Sequence, residues 1–369
     1  MPDTELVREG DNEHGHFRIE RYMPAAAPLN PTFRTGLHRT GPCAVNVSSR
    51  NICEIGSMLA EGFLRHTNWS YWGVMTADPS WLLERHFWKL DYKDVSGRES
   101  RMLDDLILSA DVLHLNSIRC WEFLKRLGAD LENRTKIVMH HHGANLREEP
   151  WIADEERDAG WEVVVSTPDL LRVVPWAEWL PSPIDLEEID GNYPQWEKPE
   201  CEFVVGHGYT VPENKGTYDI MYIMEHCKRR DKTVRFVPWS GIGKRQSLWL
   251  ISQCDVYFAT LLYGPGVATM EALAMGVPVL ASCTEEELEH QMAVLGVQTP
   301  DGLPWIYCTR ETAGEWVEQL RTDPELRRVW GLKGRRYVEE FHSIPAVVAR
   351  AKAIYERTQP CREVLYSGS

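Results

Sequence analysis

Short apolar runs alternate with amphipathic helical spacings along almost the whole chain, and that alternation restricts the fold more than any other feature. Cys43-Ala-Val-Asn-Val47 reads as a buried strand, Ser48-Ser-Arg-Asn51 as a loop, and Ile52, Ile55, Leu59 and Phe63 as one face of a helix. Strand, loop and helix open a βαβ unit. The same rhythm predicts a helix over 101–109, a strand over 111–115, a helix over 121–127 and strands over 136–140 and 162–166. It breaks at Trp179-Leu-Pro-Ser-Pro-Ile-Asp185, and the polar stretch with Asn192, Pro194 and Pro199 that follows reads as a linker. A second series then begins, with strands over 202–205, 233–237, 255–260 and 277–281 and helices over 218–229, 246–253 and 267–275. In the first of these helices Ile220, Ile223, Met224 and Cys227 share one face. The end is helical: Asp323-Pro324 is an N-cap followed by a first-turn proline, and Ile344, Val347, Val348, Ala351 and Tyr355 form an apolar stripe. Short apolar strands between helices imply parallel sheets covered on both faces, so the expected class is α/β, with two doubly wound Rossmann-like domains in series. The expected boundaries are 41–183 and 184–343, after an N-terminal extension over 1–40 and before a last helix and tail over 344–369.

Composition narrows the functional classes. Hydrophobic residues are 43% and charged residues 26% of the 369, which excludes disorder and a fibrous architecture. The formal charge of −15 argues at first against a polyanionic partner. However, residues 146–200 hold 15 Asp and Glu against 4 Lys and Arg, so the deficit is largely one acidic segment, and a DNA acceptor is not excluded. No run of ~18 uncharged apolar residues predicts a membrane span. The first 40 residues, with Glu5, Glu9, Asp11 and Glu13, contain no apolar signal-peptide core. Nine scattered cysteines without a C-x-x-C spacing suit a reducing cytoplasm better than a disulfide framework or zinc site. Fifteen tryptophans, spread over the chain, are expected in core and interdomain packing.

The segment Asp255 to Ser282 carries the chemistry. A buried strand ends at Thr260, Gly264 and Gly266 let the backbone approach a ligand closely, and a helix starts near Gly266. Unpaired N–H groups at that helix start, with the positive end of the dipole, suit a phosphate. Glu271, about one turn on, is placed to accept hydrogen bonds from hydroxyls such as a ribose diol. An ordinary βαβ turn with a surface carboxylate fits the same residue types. His140-His-His142 invites a metal, yet in a strand only residues 140 and 142 share a face, and no Cys or Asp motif accompanies them. No metal site is expected.

The segment resembles the donor-binding signature of GT-B glycosyltransferases of the glycogen-synthase-like, retaining type (family GT4 and relatives), in Glu271-Ala-Leu-Ala-Met-Gly-Val-Pro-Val279. Further matches fall in the family's order: Asp111-Val-Leu-His-Leu115, His142-Gly143, Ser166, Pro181 to Asp185, Gly206, Lys215-Gly216, and the closing helices from Asp323 to Tyr355. The resemblance covers about residues 43–357. It implies two domains facing each other, the last helix crossing back to the first domain, and a nucleotide-diphosphate sugar as co-substrate held mainly by the second. No cofactor and no metal are implied. Lys215 matches the lysine that grips the diphosphate, Gly264, Gly266, Val267 and Ala268 would supply backbone donors, and Glu271 would hold the ribose. His142 matches a histidine near the transferred sugar, so His142 and Lys215 are the candidate catalytic pair.

Two positions depart from the family pattern. Tyr263 stands where an acidic residue often contacts the hexose, and His207 where an arginine usually helps clamp the diphosphate. Lys244 and Arg245 are candidates to replace that charge, or are solvated loop cations. Ser48, Ser49, Arg50 and Asn51 occupy a loop that is Gly-rich in relatives, and contact with acceptor or diphosphate and capping of the next helix both remain open. The reading is a retaining hexosyltransferase whose acceptor is a small molecule, a glycan or a modified DNA base. A nucleotide-sugar epimerase or hydrolase, and a nucleotide-sugar-binding protein with little turnover, are the competing readings.

Overall fold

The computed structural model describes residues 41–48, 54–75, 89–91, 105–116, 135–193, 202–262 and 264–360. The expected helix over 121–127, the extension over 1–40, and Ser49, Arg50, Asn51 and Tyr263 lie outside the described residues.

Strands β1 (Cys43–Ser48), β2 (Ser70–Met75), β3 (Lys89–Asp91), β4 (Val112–Leu115), β5 (Lys136–His141), β6 (Glu162–Val165) and β7 (Glu178–Trp179) form one sheet in the order β3-β2-β1-β4-β5-β6-β7. Every adjacent pair is parallel. The period of two explains why the strands are apolar throughout. Cys43, Val45 and Val47 enter one core with Leu113, Ile137 and Met139, whereas Ala44 enters the opposite core with Val112, Val138 and Val164. Helix α1 (Ile55–His66) covers that second face, and α2 (Ala144–Glu148) and α3 (Trp151–Asp158) follow β5.

The expected linker holds a helix, α4 (Leu186–Asn192), which Asp185 caps by accepting from Glu188 N at 2.9 Å. The second sheet comprises β8 (Phe203–Gly208), β9 (Val234–Trp239), β10 (Val256–Thr260), β11 (Val279–Ala281) and β12 (Ile306–Tyr307), in the order β12-β11-β10-β8-β9, again all parallel. Helix α5 (Thr217–Arg230) covers one face; α6 (Lys244–Ser252), α7 (Val267–Ala274) and α8 (Glu285–Leu295) cover the other; α9 (Ala313–Thr322) joins α5. Both sheets reverse direction of growth beside their first strand, between β1 and β4 and between β8 and β10. In open parallel sheets that is where ligands bind, outside the carboxyl ends of the strands.

Helix α10 (Pro324–Tyr337), capped by Asp323 as expected, continues through a π-helical turn, Val338–His342, into α11 (Ile344–Arg357). Here the chain returns to the first domain. His342 Nδ1 donates to Ser182 O at 2.9 Å and Ile184 N donates to His342 O at 2.7 Å, so the two chain crossings are bonded side by side. Val347, Val348, Ala351, Ile354 and Tyr355, the stripe read from the sequence, are buried against α1 and the first sheet. Helices α1 and α11 approach at Gly62, where a Cβ would stand 2.5 Å from Ile344 Cγ2 and Val348 Cγ2.

Glycine inside a helix normally costs about 1 kcal/mol relative to alanine, so replacing an unhindered helical glycine with alanine is stabilising. At Gly62 the close approach reverses the sign. Gly62→Val is expected to destabilise the protein by about 2 kcal/mol or more through overpacking, read as a lower urea or thermal midpoint. An unchanged midpoint would mean that α11 does not rest on α1.

Candidate functional site

The cleft forms where the two switch points face each other. Helix α7 starts at Gly266, which offers no side-chain cap, and no described residue accepts from the N–H of Val267 or Ala268. These donors are the ones expected for a phosphate. Gly264 does a different job from the one expected. Its φ of 71° is the left-handed bend that favours glycine, and its N–H already donates to Ser282 O at 3.1 Å. It shapes the loop and is not a spare donor.

Lys215 closes a 3-10 turn, Glu213–Lys215, and its carbonyl accepts from Leu261 N at 3.0 Å, which ties it to the loop before α7. Its ammonium points at the helix start: a Cβ on Gly266 would lie 3.9 Å from Nζ. No carboxylate among the described residues pairs with it. Burial, with the charge of Arg147 second, lowers its pKa. A desolvated, unpaired cation at the positive end of a helix is a site prepared for an anion.

Lys244, in contrast, is committed. At the start of α6 its Nζ lies 2.7 Å from Glu54 Oε2 of the first domain and 3.8 Å from Glu271 Oε1. Glu54 is buried and sits at φ 57°, the one non-glycine among the described residues at positive φ. That conformation costs about 1–2 kcal/mol and aims the carboxylate across the cleft. Glu271 is 7% exposed, and burial pushes its pKa up to about 7; Lys244 pulls it down, while Glu54 and Glu188 push it further up. Burial lowers the pKa of Lys244, but Glu271 and Glu54 outweigh that and hold the ammonium charged. Arg245 follows it on α6, partly exposed. Lys244 therefore does not replace the missing diphosphate arginine.

His207 does not replace it either. It is fully buried, Nδ1–H donates to Phe258 O at 2.7 Å, and Nε2 accepts from Thr217 Oγ1 at 2.9 Å. Burial holds its pKa near 4. Both ring nitrogens are used to join β8 to β10 and α5, so His207 offers neither of them to the cleft. Ser48, buried at the end of β1, is the described member of the first-domain loop.

The histidine triplet divides by face as the strand period requires. His141 turns away and pairs with the buried Glu156 at 2.7 Å, whereas the rings of His140 and His142 lie 4.1 Å apart. His142 begins a hydrogen-bonded chain through the first domain. Its Nε2–H donates to Asn116 Oδ1 at 2.9 Å, and Asn116 Nδ2 donates to Asn46 Oδ1 at 2.7 Å. Asn46 Nδ2 donates to the Tyr71 hydroxyl at 3.3 Å, and the Tyr71 and Tyr355 hydroxyls are bonded at 3.2 Å. The Tyr355 hydroxyl is also bonded to His114 Nδ1, and His114 Nε2 to His140 Nδ1 at 3.1 Å. Because an amide NH₂ only donates, the links through Asn116 and Asn46 have one direction, and they assign His142 the Nε2–H tautomer. His142 Nδ1 is left as a buried lone pair without a protein partner. Burial, then repulsion from neighbouring imidazoles, lowers the His142 pKa to about 3; burial alone does the same for His114. The ring is a neutral acceptor. Asn116, Asn46, Tyr71, Tyr355 and Glu54 were not distinguishable in the sequence, since their roles come from partners far along the chain.

No family model matches the chain, and no curated protein matches it. Solved structures do. An alpha-glucosyltransferase in complex with UDP-glucose and DNA containing an abasic site superposes with a TM-score of 0.61 at 10% identity, over 86% of this chain and 99% of that one. An alpha-glucosyltransferase with UDP and a 13-mer DNA containing an HMU base gives 0.60 at 11%, over 85% and 99%. TarM gives 0.50 at 12%, over 66% and 54%. What these share with the present chain is the fold: two α/β domains with parallel sheets facing across a cleft.

The tautomer is measurable. Long-range ¹H–¹⁵N spectra should show His142 neutral and protonated at Nε2 from about pH 5 to 8. In Asn116→Asp the carboxylate beside Nε2 favours imidazolium, so His142 should begin to titrate near or above about pH 6.5. A wild-type ring that titrates there, or carries its proton on Nδ1, would refute the directed chain.

Proposed function

We propose that the protein is a glycosyltransferase that moves a hexose from a nucleotide-diphosphate sugar to an acceptor hydroxyl with retention of anomeric configuration. One observation carries the reading: the unpaired ammonium of Lys215 is held against the uncapped start of α7, with Glu271 about one turn further along the same helix. Diphosphate at the helix start places the ribose diol at Glu271, its hydroxyls donating to the carboxylate. The likeness to alpha-glucosyltransferase structures that contain UDP-glucose supports UDP-glucose as the first donor to test.

In this reading the C1–O bond to the diphosphate breaks and the acceptor oxygen bonds to C1 on the same face. The departing phosphate oxygen takes the acceptor proton, so no carboxylate base is required. Lys215 and the α7 dipole stabilise the charge that develops on the leaving group. His142 Nδ1 accepts a hydrogen bond from a sugar hydroxyl and orients the ring for transfer. Neither a metal nor a cofactor takes part. Closure of the cleft excludes the water that would hydrolyse the donor. The DNA in the same alpha-glucosyltransferase structures, one with an HMU base, supports DNA bearing a hydroxyl on a base as the first acceptor, ahead of small molecules and glycans.

Thermal-shift screening against UDP-, GDP-, ADP- and TDP-sugars, followed by mass spectrometry with acceptors, tests the assignment. Lys215→Ala and Glu271→Ala are each expected to lower kcat/KM about 10²- to 10³-fold. Undiminished turnover in both, or isomerisation or stoichiometric hydrolysis of donor alone, would overturn it.

Affinity should also follow the ionisation of Glu271. The carboxylate accepts from the diol and the neutral acid does so less well, so UDP binding is expected to tighten as pH rises through about 7. Glu271→Gln removes that component and leaves only the titration of the phosphate itself. Superimposable pH profiles for wild type and variant would exclude Glu271 as the ribose ligand.

A further inference from the structure

Among the described residues of the second domain Lys215 is the cation aimed at the start of α7; His207 is neutral and sealed, and Lys244 serves Glu54 and Glu271. We infer that a second cation comes from the first domain and is Arg147, which grips the diphosphate from across the cleft opposite Lys215. The inference rests on the functional reading above and adds a residue to it.

Arg147 lies on α2, directly after the His142-Gly143 loop. Gly143 has φ 132°, and a Cβ there would stand 2.7 Å from the nearer guanidinium nitrogen, so the Arg147 head lies across a position that only glycine leaves open. Asp169 holds it from the other side, accepting from Nε at 2.8 Å and from a terminal nitrogen. The pair orients the guanidinium as a planar fork suited to phosphate oxygens. Asp169 in turn lines an interdomain crevice together with Gly266 and Val267, the start of α7. Arg147 is thereby fixed on the first domain beside the helix terminus that Lys215 approaches from the second. The lowered pKa of Lys215, for which the Arg147 charge is the second cause after burial, agrees with that proximity.

A second, independent observation points to a hydroxyl-bearing group of the guest beside the diphosphate, since an unpaired amide oxygen accepts. Gln291 is 2% exposed and lines the same crevice, and its Oε1 has no partner; neither has Oγ1 of Thr167, another lining residue. Two cations, which repel each other, converge on a helix start beside Asp169. A diphosphate relieves the repulsion and joins the two domains through one ligand. Phosphate binding and cleft closure then become the same event.

Titration calorimetry on the full-length protein at fixed ionic strength, with UDP, inorganic pyrophosphate and uridine as probes, tests the assignment. Arg147→Gln should weaken UDP and pyrophosphate about 10- to 100-fold and leave uridine unchanged. Arg147→Lys keeps the charge and a partner for Asp169, so it should fold normally and recover part of the loss. If UDP affinity is unchanged in Arg147→Gln while Lys215→Ala abolishes it, the clamp lacks Arg147 and the functional reading survives. Equal weakening of UDP and uridine would show general damage to the cleft and overturn the inference. Failure of the wild-type protein to bind any of the probes would remove both.

Discussion

The cleft depends on one docking event, the return of α11 onto the first domain. Tyr355, near its end, is fully buried, with its ring 5.4 Å from that of Phe63 and inclined by 12°. Its hydroxyl bridges Tyr71 and His114, so the residue belongs at once to the apolar core and to the chain that ends at His142. Lys136 Nζ completes the dock by donating to the carbonyls of Tyr355 and Glu356 at 2.9 and 3.3 Å, a cation at the negative end of the helix. The last helix of the chain is therefore part of the first domain's structure, and the domains cannot separate without breaking that core. The two chain crossings lie side by side, bridged at Ile184 and Ser343.

Across the cleft the domains meet through several charged contacts. Lys244 pairs with Glu54, and Arg172 pairs with Glu286 and Glu287 at 2.6 and 3.0 Å. His290 Nε2 donates to Pro168 O at 2.9 Å. Arg65 and Glu187 also meet, but both are well exposed, and such a pair contributes little. Among these contacts the Lys244 cluster is the most desolvated, and it includes the carboxylate assigned to the ribose. A nucleotide that engages Glu271 competes with Lys244 for it, so donor binding and the Glu54 contact between domains act on one side chain. The strained backbone at Glu54 is consistent with that coupling, since the conformation persists only while its partner holds it.

Where one element dictates its own form, the sequence was readable. The strand periods, the capped start of α10, the stripe of α11 and the glycines before α7 all appear at the expected places, because each depends on neighbours a few residues away. Helix α4 was missed although Asp185 and Glu188 carry a capping signal; its shortness and the surrounding prolines concealed it. The triplet at His140 was resolved correctly into two faces, but its partners Asn116, Tyr71 and Tyr355 were not. The partners of His207 are equally remote. A histidine's role depends on what meets each ring nitrogen, and Phe258 and Thr217 lie in other elements. Lys244 and Glu54 are 190 positions apart, and no local pattern joins them.

The charge of −15 has a different meaning once these partners are placed. Several acids of the segment 146–200 do not form a repelling face. Glu156 is buried against His141, Asp169 holds Arg147, Asp185 caps α4, and Asp190 forms a bidentate pair with Arg335 at 2.7 and 2.8 Å. The carboxylates nearest the cleft orient cations rather than cancel them at a distance. Asp169 engages one edge of Arg147, Glu54 anchors Lys244, and Lys215 alone has no described counter-ion. An anionic donor approaching the start of α7 thus meets a local positive field inside a molecule of negative total charge. Over a Debye length of about 8 Å at physiological salt, the local field governs binding and the distant excess is screened. The net charge of the whole chain consequently says nothing against a polyanionic acceptor, and in the proposed reading Arg147 and Lys215 receive the donor's diphosphate.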